Sequence, residues 1–214
     1  AMAPDHASRT YKGVVIPTPG SSPGFIDTGD KGVYRADCLD YMVVGLYRGL
    51  FLPSGQEYAL VQALLDKVAA VTGHPEISQA PVILYGWSAG ALYSGLNSSL
   101  LSRRVVAYFG GSGKFYTQIP DAINVPGFQI NGETDNNGTT SLLSCQQSLR
   151  AVRAISAANN QVGIGVAWQQ GHINPVWGEH QSGEFAYYMA SEVLKARRAL
   201  AGGDVVSSNG FVEY

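Results

Sequence analysis

The stretch Pro81-Val82-Ile83-Leu84-Tyr85-Gly86-Trp87-Ser88-Ala89-Gly90 joins two patterns. Pro81 to Tyr85 is a short apolar run that reads as a strand. Ala89 to Leu101 continues with good helix formers. Between them, Gly86 to Gly90 matches G-x-S-x-G at a strand-to-helix junction. A residue on so sharp a turn adopts a strained backbone, and its close neighbours must be small. Gly86 and Gly90 supply that room. The Ser88 hydroxyl is then exposed at the carboxyl edge of a sheet. The Ala89 N–H, at the helix start, can face a developing oxyanion. The bland alternative is a glycine-rich turn whose serine only caps a helix.

Working outward, the same alternation recurs. Lys12–Pro17 and Tyr41–Tyr47 read as strands. Ser54-Gly55-Gln56-Glu57 fits a capping box. Leu60, Val61, Leu64, Leu65, Val68 and Val71 follow at helical spacing, and Gly73 and Pro75 stop that helix. Val105–Phe109, Gly127–Ile130 and Val162–Trp168 are further strand candidates. Leu142, Leu143, Leu149, Val152 and Ile155 mark a helix from about Thr140 to Ala158. Phe185, Met189, Val193, Ala196 and Leu200 mark a last one. Strands alternating with helices predict an α/β fold with a parallel sheet covered on both faces. The strands are continuous apolar runs, as burial on both faces requires. No internal repeat or linker is visible, so residues 1–214 are expected to form one domain, with tails at 1–11 and 203–214.

Composition fits this class. The 214 residues are 45% hydrophobic and only 14% charged. That is too apolar for a disordered chain, and the 26 glycines lack a period of three. A formal net charge of −2 gives no electrostatic reason to expect nucleic acid or an anionic membrane as partner. No apolar run approaches the roughly 20 residues of a membrane span. Residues 1–9 lack the apolar stretch of a signal peptide. Compartment (secreted or cytoplasmic) and oligomeric state are not fixed by these features. Cys38 and Cys145 are the only cysteines. Their places in the expected topology are several strands apart, which predicts two free thiols.

A reactive serine needs a base, and the base needs an orienting carboxylate. In the strand–turn–helix setting of Ser88 the expected order is Ser, then Asp or Glu, then His. His6 and His74 precede Ser88. His172, just beyond the strand ending at Trp168, fits, whereas His180 reads as a residue near the last helix. For the acid, Gly132-Glu133-Thr134-Asp135 directly follows a strand. Asp135 is placed to aim back along the sheet edge. Glu133 and Asp121 are competitors, and Asp135-Asn136-Asn137-Gly138 is turn chemistry in its own right. Water-exposed loop placement is the bland reading of His172. Trp87, Trp168, Trp177, Tyr47 and Tyr116 could wall an apolar pocket. Trp87 is the best candidate, and core packing is the commoner fate of the others.

With these residues in place, the chain from about Tyr41 to Leu200 resembles the α/β-hydrolases, specifically cap-less serine esterases of the dienelactone-hydrolase and polyester-depolymerase type. Thr72-Gly73-His74-Pro75-Glu76, ahead of the elbow strand, is also similar to members of that group. The resemblance implies a mostly parallel sheet of about six to seven strands in a three-layer sandwich with no cap domain. It implies Ser88 as nucleophile, His172 as base and acid, and Asp135 as orienter, acting on a small-molecule or polymeric ester without metal or organic cofactor. It also implies an oxyanion hole from the Ala89 N–H and a second donor in an early loop. There the family often has His-Gly, whereas this chain has Pro19-Gly20-Ser21. Proline has no N–H, so Ser21 or Gly20 would donate, with Gly20 also at the substrate. Only about ten residues precede the first strand, so the family's opening antiparallel pair is expected to be missing. A non-catalytic ligand-binding protein, a thioesterase and an acyltransferase are alternatives on the same framework.

Other motifs fail. Gly110-Gly111-Ser112-Gly113-Lys114 is followed by Phe115 rather than Ser or Thr and lacks the upstream glycine of a phosphate loop. Asn97-Ser98-Ser99 and Asn137-Gly138-Thr139 fit a glycosylation pattern too frequent to be informative.

Overall fold

The computed structural model describes residues 6–18, 40–44, 57–100, 104–115, 125–138, 141–155 and 162–172. Six strands form one sheet: β1 Gly13–Thr18, β2 Tyr41–Val43, β3 Val82–Trp87, β4 Val105–Gly111, β5 Gly127–Gly132 and β6 Val162–Ala167. Three helices accompany them: α1 Glu57–Thr72, α2 Ala89–Leu100 and α3 Leu142–Ile155. The strand order is β2-β1-β3-β4-β5-β6, and every pairing is parallel. The chain winds outward from β1 to β2, then returns past β1 to β3 and winds the other way. In open parallel sheets, that reversal is where ligands bind, beyond the carboxyl ends of the strands.

The apolar runs are explained by burial. All seven residues of β4 are buried. Val14, Ile16, Val82 and Leu84 share one core with Val61 and Leu65 of α1 and with Cys145 and Val152 of α3. Helix α2 packs on β3 and β4. The Gln129 amide reaches the Ala91 carbonyl at 3.4 Å, so the β5 residue at that register faces α2.

Helix α1 is narrower in its buried stripe than its spacing predicts. Val61 and Leu65 are buried, but Leu60 and Val71 are exposed. Burying an aliphatic side chain is worth about 1.5–3 kcal/mol, so the deepest pair sets the roll of the helix. Leu60 and Val71 fall outside that arc. Leu143 of α3 is exposed for the same reason. Gly73, with φ 75°, ends α1 in the left-handed region.

The second strand is described as Tyr41–Val43, and residues 45–47 of its expected run lie outside the described residues. The expected last helix lies outside the described residues, as does Cys38. Among the described residues no antiparallel strand is present, and no helix is long and apolar enough to cross a membrane.

The amino edge of the sheet is closed by polar contacts. His74 is buried between α1 and β3, and its Nδ1 lies 3.1 Å from Glu76 Oε1. The same oxygen accepts the Tyr11 N–H at 3.1 Å. His6 meets His74 edge to face at 4.6 Å between ring centroids, with its Nδ1 2.6 Å from the Tyr11 hydroxyl. His6 and Tyr11 are therefore packed within the stretch where a tail was expected, while Ala7, Ser8 and Thr10 between them are exposed. Buried Arg104 donates to the Ser78 carbonyl at 2.9 Å.

Cys145 is free and buried, and burial pushes its thiol up to about 12. In a Cys38→Ser variant, the remaining thiol is expected to stay silent to a disulfide reagent near pH 8 until denaturant is added. Prompt reaction of the native protein would refute this packing.

Candidate active site

Ser88 sits alone between β3 and α2 with φ 55°. For a residue with a Cβ, that left-handed conformation costs roughly 1–2 kcal/mol. Its backbone is held from both sides. The Ser88 N–H donates to the Gly111 carbonyl at 2.8 Å, and the Ser88 carbonyl accepts the Ala91 N–H at 3.0 Å. The end of β4 must also lie close beneath the first turn of α2. A Cβ at Gly110 would be 2.7 Å from Ala91 Cβ, and one at Gly113 only 2.2 Å. The Asn131 side chain anchors this turn by donating to the Gly113 carbonyl at 2.9 Å. Ala89 is the first residue of α2. Its N–H belongs to the helical turn that lacks intrahelical acceptors and carries the positive end of the helix dipole.

The other two side chains come from adjacent strand ends. β5 and β6 pair up to Gly132 and Ala167. Beyond them the loops stay joined. The Glu133 N–H donates to the Ala167 carbonyl at 2.9 Å. The Thr134 N–H and hydroxyl both donate to the Gln170 carbonyl at 2.8 Å. This contact requires glycine at 132, where a Cβ would lie 2.0 Å from the Gly171 oxygen and 2.4 Å from the Gln170 oxygen.

The outcome is a paired acid and imidazole. His172 Nδ1 lies 2.9 Å from Asp135 Oδ2. The Asp135 side chain is fully buried, while that of His172 is 26% exposed. Asp135 Oδ1 accepts the Asn137 N–H at 3.0 Å, so both carboxylate oxygens are engaged. Such bonds are what make burial of a charge tolerable. A carboxylate can only accept, so Nδ1 donates and the neutral ring presents its lone pair at Nε2. The ring lies 5.5 Å, centroid to centroid, from the indole of Trp87, the residue before Ser88. The structure thus brings His172 and Asp135 together beside the elbow.

No family model and no curated protein sequence matches the chain. Solved structures do. One is esterase PE8, at 17% identity and TM-score 0.51, covering 86% of this chain and 94% of that one. Another is a monoacylglycerol lipase from Paleococcus ferrophilus, at 11% identity and TM-score 0.57, with 87% and 96% covered. A third is α/β hydrolase domain-containing protein 10 from mouse, at 14% identity and TM-score 0.56, with 88% and 92% covered. The chain has the α/β-hydrolase fold.

Within the α/β-hydrolase fold, the remaining expected residues separate clearly. Gly20 and Ser21 lie outside the described residues, as do Asp121, His180, Tyr47, Tyr116 and Trp177. Trp87 is half-buried beside His172. Trp168 corrects the expectation of core packing: it is 71% exposed, because β6 ends at Ala167 and the next residue already turns away from the sheet. Glu133 does not take the place of Asp135; its carboxylate accepts the Gln169 N–H at 3.0 Å. The roles of Gly132, Thr134 and Gln170 escaped sequence reading, since each is a contact across two loops. Among the described residues, no cluster of three or more His, Cys, Asp or Glu could hold a metal ion.

Gly132→Ala is expected to destabilise the fold by about 1–3 kcal/mol, the usual range for overpacking. Chemical denaturation against wild type measures it. An unchanged midpoint would show that the Gln170–Gly171 segment yields freely.

Proposed function

We propose that this protein is a serine hydrolase that cleaves carboxylic esters through Ser88, His172 and Asp135. The observation that supports it best is the 2.9 Å contact between His172 Nδ1 and the buried Asp135 carboxylate, with the His172 ring beside Trp87, the chain neighbour of a serine at φ 55°. Unlike His74, whose ring is buried, His172 keeps part of its imidazole exposed while a fully buried carboxylate holds the other side, the arrangement that orients a general base. A plain helix cap has no need of a left-handed serine.

In this reading Ser88 Oγ attacks the ester carbonyl while His172 Nε2 takes its proton. Asp135 holds the ring in the tautomer with Nδ1 protonated and stabilises the imidazolium. The Ala89 N–H and a second donor from Gly20 or Ser21 face the oxyanion. One such donor is typically worth about 10²–10³ in kcat. His172 then protonates the departing alcohol. Water, deprotonated by His172, releases the acid from the acyl-enzyme and restores Ser88.

The names of esterase PE8 and the monoacylglycerol lipase favour an ester as substrate. The finer reading is a cap-less esterase of the dienelactone-hydrolase or polyester-depolymerase type. It rests on the sequence resemblance, with Trp87 lining the acyl or aryl pocket.

A fluorophosphonate probe is expected to label the wild type and Ser94→Ala, but not Ser88→Ala. Ser94 is a sound control because its buried hydroxyl donates to the Ala91 carbonyl at 2.8 Å. A folded, unlabelled wild type would favour a ligand-binding protein instead. On a p-nitrophenyl ester series, Asp135→Asn should lower kcat by roughly 10⁴ through loss of the tautomer. A fall of less than about tenfold would remove Asp135 from the proposed role.

A further inference from the structure

We infer that Glu133 is a positioning residue, whose carboxylate clasps the histidine loop and thereby holds His172 on Asp135. The inference rests on the proposed triad but names a residue outside it. The chain leaves β6 through the turn Ala167-Trp168-Gln169-Gln170, closed by the Gln170 N–H on the Ala167 carbonyl at 3.4 Å. Gln169 is the third residue of that turn and has φ 56°. Turns with a left-handed third residue normally place glycine there, because a Cβ costs roughly 1–2 kcal/mol. Here a glutamine is kept in that conformation.

Glu133 supplies the compensation. Its Oε2 accepts the Gln169 N–H at 3.0 Å. Its own N–H donates to the Ala167 carbonyl at 2.9 Å. One residue therefore grips the turn at its first and third positions. The next residue, Thr134, grips Gln170 with its N–H and hydroxyl. The following one, Asp135, meets His172. The acid loop and the histidine loop thus run side by side, and each contact fixes the register of the next. If the Glu133 contact is lost, Gln169 can relax to negative φ, which swings the three residues leading to His172. A misplacement of about 1 Å at a reacting group can cost up to roughly 10² in rate.

Glu133→Ala is expected to lower kcat on a p-nitrophenyl ester at least about tenfold, with KM within about twofold. Glu133→Gln, which keeps an acceptor oxygen but no charge, should recover most of that rate. Gln169→Gly in the Glu133→Ala background should also recover rate, since glycine adopts the turn without strain. A second readout does not depend on turnover: the low-field proton resonance of His172 Nδ1–H, expected in wild type and broadened or lost in Glu133→Ala while circular dichroism is unchanged. A Glu133→Ala protein with wild-type kcat and an intact resonance overturns the inference. So does a Gln variant as slow as the Ala variant, which would make the effect one of charge. If the Ala variant does not fold, Glu133→Met, which keeps the length of the side chain but removes the acceptor oxygen, carries the same comparison through the resonance. A wild type without ester turnover or probe labelling would defeat the proposed triad, and the resonance comparison would still decide the clasp.

Discussion

Two loops at the carboxyl edge of the sheet can lie against each other only because residue 132 has no side chain. A single methyl there would sit 2.0 Å from the Gly171 oxygen. The parallel pairing of β5 and β6 delivers both loops to the same height, and the Glu133 and Thr134 bonds continue that pairing past the end of the sheet. The encounter of Asp135 with His172 is therefore an extension of strand register. Such an encounter is cheap in entropy, because the backbone is already ordered where the side chains meet.

A similar economy operates at Ser88. Its strained backbone is tied to β4 through Gly111 and to α2 through Ala91. The glycines at 110 and 113 let the helix descend onto that strand end. Strain of a kcal/mol or two survives when neighbouring bonds over-determine the conformation. The elbow and the paired loops are thus two separately braced units, both mounted on the rigid centre of one sheet.

Much of this was legible in the chain itself. The apolar runs marked the strands, and β3, β4 and β5, which are almost wholly buried, extend only slightly beyond them, whereas β6 is mostly half-buried and exposes Val166. The glycine pair around Ser88 revealed the turn, since few other sequences fit one so sharp. The order of Ser88, Asp135 and His172 narrowed the acid and imidazole to the pair that the structure joins. Less was legible where the cause lies in a distant partner. A continuous apolar run carries no register, so the position of β1 between β2 and β3 had no local signature. Periodicity overestimated the buried arc of α1, where Leu60 and Val71 face outward. Glu133 looked like a rival acid, because its bond depends on the backbone of a residue 36 positions later.

The two rims of the sheet differ in what they carry. Around His74, Glu76, Tyr11 and Arg104, the amino rim is a knot of rings and buried polar groups remote from Ser88. Wear and redesign can therefore be separated in space. Substitutions in that knot bear on how long the molecule survives, and those at the opposite rim bear on the paired loops and the elbow. Tethering to a solid support near residues 6–11 would leave the carboxyl rim, with Trp87 and His172, turned toward the surrounding liquid.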